Sequence, residues 1–95
     1  MYAEIRKYST NAMAEVIEKA EKGFVPLISS HAGFKAYYIL KETETTFASI
    51  SIFETRAEAR ESNTLAHDWV HENLAKLLPQ PPEITEGEVE VRKES

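Results

Sequence analysis

Thr55–Leu78, TRAEARESNTLAHDWVHENLAKLL, is the stretch whose period decides the fold. At about 100° per residue, Leu65, Ala66, Trp69, Val70, Leu74, Leu77 and Leu78 gather on one side. Glu61, Asp68, Glu72 and Lys76 fall on the other, as an amphipathic helix lying on a core requires. Thr55 with Glu58 three residues on is a capping box, in which each side chain takes a backbone N–H of the first turn. Pro79 cannot continue the hydrogen-bond ladder and sets the expected end.

Working outward, Tyr2–Tyr8 alternates Tyr2, Glu4, Arg6 and Tyr8 against Ala3, Ile5 and Lys7, a short strand with one mixed, aromatic-edged face. Ser9, Thr10 and Asn11 offer N-caps for a first helix carried by Met13, Val16, Ile17 and Ala20. Gly23 and Pro26 interrupt it, so it is expected to end near Lys22, with a separate turn over Pro26 to Ser29. GFKAYYILKE and TTFASISIFE, joined by a charged turn around Glu42 to Glu44, form a hairpin. In strict alternation Phe34, Ala36, Tyr38 and Leu40 share one face of its first strand. Beyond the Pro79–Pro82 connector, Val89 and Val91 alternate with Glu88, Glu90 and Arg92 as a final edge strand.

The order is β-α-β-β-α-β, an α+β, ferredoxin-like arrangement over residues 1–95 with both helices on one face of a four-stranded antiparallel sheet. Neither face of the hairpin strands is fully polar, so the second face needs a cover, and a second copy of the chain is the economical one. Ninety-five residues form one domain with a thin core.

Composition narrows the function. There is no cysteine, which excludes disulfides, thiol nucleophiles and thiolate metal sites. A net charge of −5 with scattered basic residues argues against nucleic acid. No run is long and apolar enough for a membrane span or a signal peptide, so a cytoplasmic protein is expected.

His67 and His71 stand four apart, a spacing that can offer two imidazoles to one metal, yet no third ligand is indicated and His71 lies on the solvent flank. An exposed pair is the simpler reading, and no metal is expected. Trp69 is inward but off the centre of the stripe, suited to a core or to stacking on a ligand. Ser62 and Asn73 fall on the apolar side of the helix and Asn63 at its edge. These polar groups either bond to nearby backbone or orient a ligand against Tyr37 or Tyr38. Ser49 and Ser51, on one face with Phe47 and Phe53, would line an inter-subunit layer or a polar pocket. Neither has a histidine base at readable spacing, so serine hydrolysis is unsupported. Glu83, Glu86, Glu88 and Glu90 read as a solvated edge.

Several stretches resemble the antibiotic-biosynthesis-monooxygenase-like group of small dimeric α+β barrel proteins. They are Gly33-Phe34-Lys35-Ala36-Tyr37-Tyr38, the strand ending at Phe53, Glu61-Ser62-Asn63, Ala66-His67-Asp68-Trp69-Val70, Glu72-Asn73-Leu74, and Pro81-Pro82-Glu83 with Gly87-Glu88-Val89. The resemblance implies a homodimer whose sheets pair into a barrel, and a pocket between helices and sheet. It also implies an oxygenase of aromatic substrates that needs no cofactor. Haem-degrading members use an asparagine on strand one, a tryptophan, and a helix histidine that ligates iron. Here Tyr2–Tyr8 lacks asparagine, and His67 and Trp69 lie about 200° apart.

Two readings follow. One is a monooxygenase-like enzyme holding a small apolar or aromatic molecule in a pocket of roughly a few hundred Å³ lined by Tyr37, Tyr38, Ser62, Asn63, Trp69 and Asn73. The other is a noncatalytic dimeric module that binds a ligand or a partner.

Overall fold

The computed structural model describes residues 1–95. Its elements are β1 (Tyr2–Ser9), α1 (Met13–Lys19), a π-helical turn (Ala20–Phe24), α2 (Val25–Ser29), β2 (Phe34–Lys41), β3 (Thr46–Phe53), α3 (Arg56–Asn73) and β4 (Glu83–Glu88). The sheet is antiparallel throughout, in the order β2-β3-β1-β4, which is the expected ferredoxin-like topology. No helix is long and apolar enough to cross a membrane.

The capping box at Thr55 is present in full: Glu58 N–H donates to Thr55 Oγ1, and Thr55 N–H donates to the Glu58 carboxylate. Gly33 fits against that carboxylate. Its φ of +77° suits glycine, and a Cβ there would collide with Glu58. The far end of α3 departs from expectation, because the helix stops at Asn73 rather than at Pro79. Leu74 leaves the helical conformation, and its carbonyl then accepts from both Leu77 and Leu78 N–H. Leu74 and Leu78, on either side of this tighter turn, both reach the core.

The first helix does not break at Lys22. It runs on through the π-helical turn, where Val25 N–H donates to Ala20 O five residues back, and Pro26 sits at the start of α2, where its missing N–H costs little. The extra residue in that turn is what lets one helical path contain Gly23 and Pro26. None of Ser9, Thr10 or Asn11 is the N-cap, a place taken by Ala12. Thr10 is buried instead, accepting from Ala12 N–H and donating to Leu77 O, so it ties the start of α1 to the end of α3.

Two strand expectations are also corrected. β4 stops at Glu88, and Val91 is exposed. Glu88 pairs with Tyr2, so β1 has no further residues to pair with Val91. In β2 a register irregularity between Phe34 and Ala36 breaks the strict alternation. Phe34 therefore packs with Tyr37 and Ile39 against the core, while Ala36 shares the opposite face with Tyr38 and Leu40.

The helices cover one face of the sheet. The other carries Ala3, Ile5, Ala36, Ile50 and Ile52, with Tyr38 and Leu40 more than half exposed. Beneath the helices the core is divided. One apolar cluster gathers Tyr2, Phe24, Ile28 and Phe53; the other gathers Tyr8, Val16, Phe47, Leu74 and Leu78. Ile39 and Trp69 touch both.

Candidate functional site

The division between the clusters has a simple cause in strand register. Tyr2, Glu4, Arg6 and Tyr8 of β1 lie opposite Phe53, Ser51, Ser49 and Phe47 of β3. Both strands read aromatic, polar, polar, aromatic along the face beneath the helices. The aromatic pairs anchor the two clusters, and Glu4, Arg6, Ser49 and Ser51 form a polar seam between them, all at least nine-tenths buried.

Arg6 organises the seam. Its Nε lies 3.2 Å from Glu4 Oε1. Its Nη2 donates to Asn63 Oδ1 of α3, and its Nη1 makes a long 3.5 Å contact with Tyr8 Oη. The pairing is incomplete: Glu4 Oε2 has no hydrogen-bond partner, and Arg6 Nε is too poorly aligned to count as one. Burial raises the Glu4 carboxyl above its ordinary value, against the opposing pull of Arg6, with Glu86 adding to the rise. Burial also raises Tyr8, and it pushes Tyr37 up to about 12, with Ser49 opposing. Both phenols are therefore neutral hydrogen-bonding groups at physiological pH.

The seam opens onto a cavity of about 30 Å³ between α3 and the sheet. Its polar lining is Glu4, Arg6, Tyr8, Tyr37, Ser49, Ser51 and Ser62, and apolar side chains including Phe24, Phe47 and Trp69 supply the rest. That volume holds about two waters. It is well below the few hundred Å³ expected, because aromatic side chains occupy the space. Phe24 packs against Tyr37 at 5.5 Å and against Trp69 at 5.4 Å between ring centroids, and Tyr8 stacks on Phe47 at 5.2 Å.

Of the six residues singled out from sequence, Tyr37, Ser62 and Trp69 line this cavity. Ser62 is 2% exposed, and its hydroxyl donates to Ala59 O at 2.6 Å, which leaves its lone pairs for the cavity. Asn63 stands one step back and holds Arg6. Tyr38 does not line it. It lies on the open face, 58% exposed, since neighbouring strand residues point opposite ways. Asn73 does not either: it is exposed at the last turn of α3, and its Nδ2 donates to Trp69 O at 2.9 Å. His67 and His71 are both exposed, and no group of three or more metal-ligating side chains comes together anywhere in the chain.

Gly23 sets the position of the tryptophan. A Cβ on Gly23 would stand 2.8 Å from Trp69 Cζ2. Gly23→Ala is expected to destabilise by about 1–3 kcal/mol through overpacking, despite alanine's better helix propensity. It is also expected to shift the emission of Trp69, the only tryptophan. Urea titration and fluorescence read both effects.

No protein-family model matches the sequence, and no curated protein does. Solved structures do match. NE2512 of Nitrosomonas europaea is 24% identical with a TM-score of 0.78, over 99% of this chain and 93% of that one. A monooxygenase from the gene ActVA-Orf6 of Streptomyces coelicolor, in complex with Nanaomycin D, is 17% identical with a TM-score of 0.78, over 99% and 91%. SnoaB, a cofactor-independent oxygenase from Streptomyces nogalater, is 12% identical with a TM-score of 0.75, over 96% and 94%. Full-length superposition at such low identity is a likeness of backbone, and on it this chain has the fold of the antibiotic-biosynthesis-monooxygenase-like proteins.

Proposed function

We propose that this protein binds a small aromatic molecule between α3 and the sheet and oxidises it with dioxygen, without a metal or flavin. The observation that carries this reading is the buried polar seam, above all the unpartnered Glu4 Oε2. A buried carboxylate oxygen without a partner costs free energy, so a chain that keeps one has a use for it. A suitable substrate has a CH₂ between aromatic rings that conjugate it to a keto group, as in an anthrone. Glu4 takes a proton from that carbon, and burial makes it a stronger base than an exposed carboxylate. The substrate carbanion then supplies the electrons. CH₂ and O₂ become C=O and H₂O: one oxygen atom enters the product, and the other leaves as water with the substrate's two hydrogens. Arg6, with Asn63 holding it, stabilises negative charge developing on the keto oxygen. Admission of the substrate requires Trp69 and its neighbours to move aside.

The test is aerobic turnover of an anthrone under ¹⁸O₂ in metal-free, flavin-free buffer. One labelled oxygen in the product is expected, with a rate about a hundredfold lower in Glu4→Gln. Asn73→Ala, at the exposed end of α3, should leave the rate unchanged. No turnover above the buffer rate would remove the proposal.

The same reading has the protein as a homodimer joined through the open sheet face. Charge at Tyr38 and Leu40, both largely exposed in one copy, would be tolerated by a monomer and resisted by an interface. The expected result is a dimer by sedimentation equilibrium that becomes a monomer in Tyr38→Glu/Leu40→Glu. A wild-type chain that sediments as a monomer overturns it.

One observation favours a second reading. A cavity of about 30 Å³ is too small for an aromatic ring as it stands, which suits a noncatalytic dimeric module whose seam is merely structural.

A further inference from the structure

A second depression lies outside the cavity, about 270 Å³ in volume, between the end of α3 and the Pro79–Pro82 connector. It shares Arg6, Tyr8, Val70 and Leu78 with the cavity, so the two are neighbouring chambers with one wall in common. Its remaining polar lining includes His67 and His71, whose rings are parallel within 2° and 6.5 Å apart. No carboxylate lines it. That is notable in a chain with sixteen acidic residues against eleven basic ones. Two acids stand behind the lining, Glu4 at 3.2 Å from Arg6 Nε and Asp68 at 3.4 Å from His67 Nδ1. Arg6 is almost fully buried in the shared wall, and its Nη1 is spent only on the long contact with Tyr8.

We propose that this outer groove binds the carboxylate of an aromatic acid whose ring enters the cavity. The proposal rests on the reading above, that the cavity admits a ligand, and names the class of that ligand. The carboxylate lies among Arg6, His67 and His71, where Arg6 Nη1, held only by its long contact with Tyr8, supplies a charge-assisted hydrogen bond and the imidazoles offer N–H donors. The ring passes between Val70 and Leu78 towards Trp69. Overall negative charge repels anions from the rest of the surface, so the groove is the local exception that would select an acid over its neutral analogue.

Calorimetric titration of the 95-residue chain with 1-naphthoate and with its neutral analogue 1-naphthamide, at low and high salt, tests this. Naphthoate is expected to bind about tenfold more tightly at low salt, with the gap narrowing as salt is added. His67→Gln/His71→Gln should close most of that gap and leave naphthamide binding unchanged. Both histidines are exposed, so this variant keeps the fold. Trp69 emission reports separately on the cavity. Equal affinities for the two probes, both quenching Trp69, overturn the groove assignment and leave the cavity reading standing. A preference for naphthoate that survives the double variant places the acid elsewhere and also overturns it. If neither probe binds nor alters Trp69 emission, both readings fall.

Discussion

Arg6→Met is expected to lower stability by about 3–5 kcal/mol near neutral pH, because it strands the Glu4 carboxylate in the core. Arg6 and Glu4 are each more than nine-tenths buried, and Arg6 is the only cation within salt-bridge distance of Glu4. The loss should depend on pH in a defined direction. Burial raises the folded-state pKa of Glu4 above its ordinary value, so the folded chain holds that proton more tightly than the unfolded one. Ionisation of Glu4 therefore works against folding, and its penalty grows as pH rises through the raised pKa. Without Arg6, the one group that pulls the pKa down strongly is gone, and the rise is larger. The variant should accordingly recover stability as the buffer is made mildly acidic. Glu4→Gln/Arg6→Met should be far less destabilised than Arg6→Met alone, since it leaves no buried charge. Urea titrations of the two variants at neutral and mildly acidic pH measure this. Equal stability loss at both pH values would mean that the pair is not coupled in the way its geometry indicates.

Phe53→Ala is expected to cost a similar amount, about 3–5 kcal/mol, by a different route. Phe53 is fully buried, edge-on to His31 at 5.6 Å and to Phe34 at 5.9 Å. Its removal leaves a cavity among neighbours on β1, β2 and the helices, and a domain of this size has only about 5–15 kcal/mol in total. The effect should be independent of pH in the range where Glu4 titrates, because Phe53 belongs to the apolar cluster and does not line the seam cavity. Ligand affinity of the folded fraction should be unchanged. The pair of variants thus separates loss of packing from loss of charge compensation.

Much of the fold could be read from periodicity. The capping box at Thr55 and the apolar stripe of α3 are local signals, and the hairpin of β2 and β3 follows from alternation and a charged turn. The misplaced boundaries have tertiary causes. Thr10 at the start of α1 holds Leu77 O in the turn that follows α3, and β4 ends at Glu88, opposite Tyr2, the first residue of β1. Neither cause is visible to a rule that examines one segment at a time.

The site was less legible for the same reason. Tyr37 and Tyr38 are adjacent, and only the irregularity in β2 decides which of them meets Phe34 beneath the helices. Asn73 has the right helical phase, but it is the last residue of α3 and is drawn back to Trp69 O. Glu4 and Arg6 read as part of a mixed face, since charged side chains are rarely buried. One signal was available: Tyr-x-Glu-x-Arg-x-Tyr in β1 and Phe-x-Ser-x-Ser-x-Phe in β3 are the same aromatic–polar–polar–aromatic pattern. Laid side by side, they place the polar residues in register and mark a buried seam.

The divided core also bears on how this protein can change. The aromatic ends of the strands anchor the two apolar clusters, whereas the four seam positions between them line the cavity. Charged pairs in such places can be exchanged for apolar residues of similar volume without loss of stability. Substituting Glu4, Arg6, Ser49 and Ser51 together is thus a way to rewrite the cavity lining while leaving the scaffold intact. A library at those positions should therefore change Glu4 and Arg6 together, since removing either partner alone leaves a buried charge unpaired.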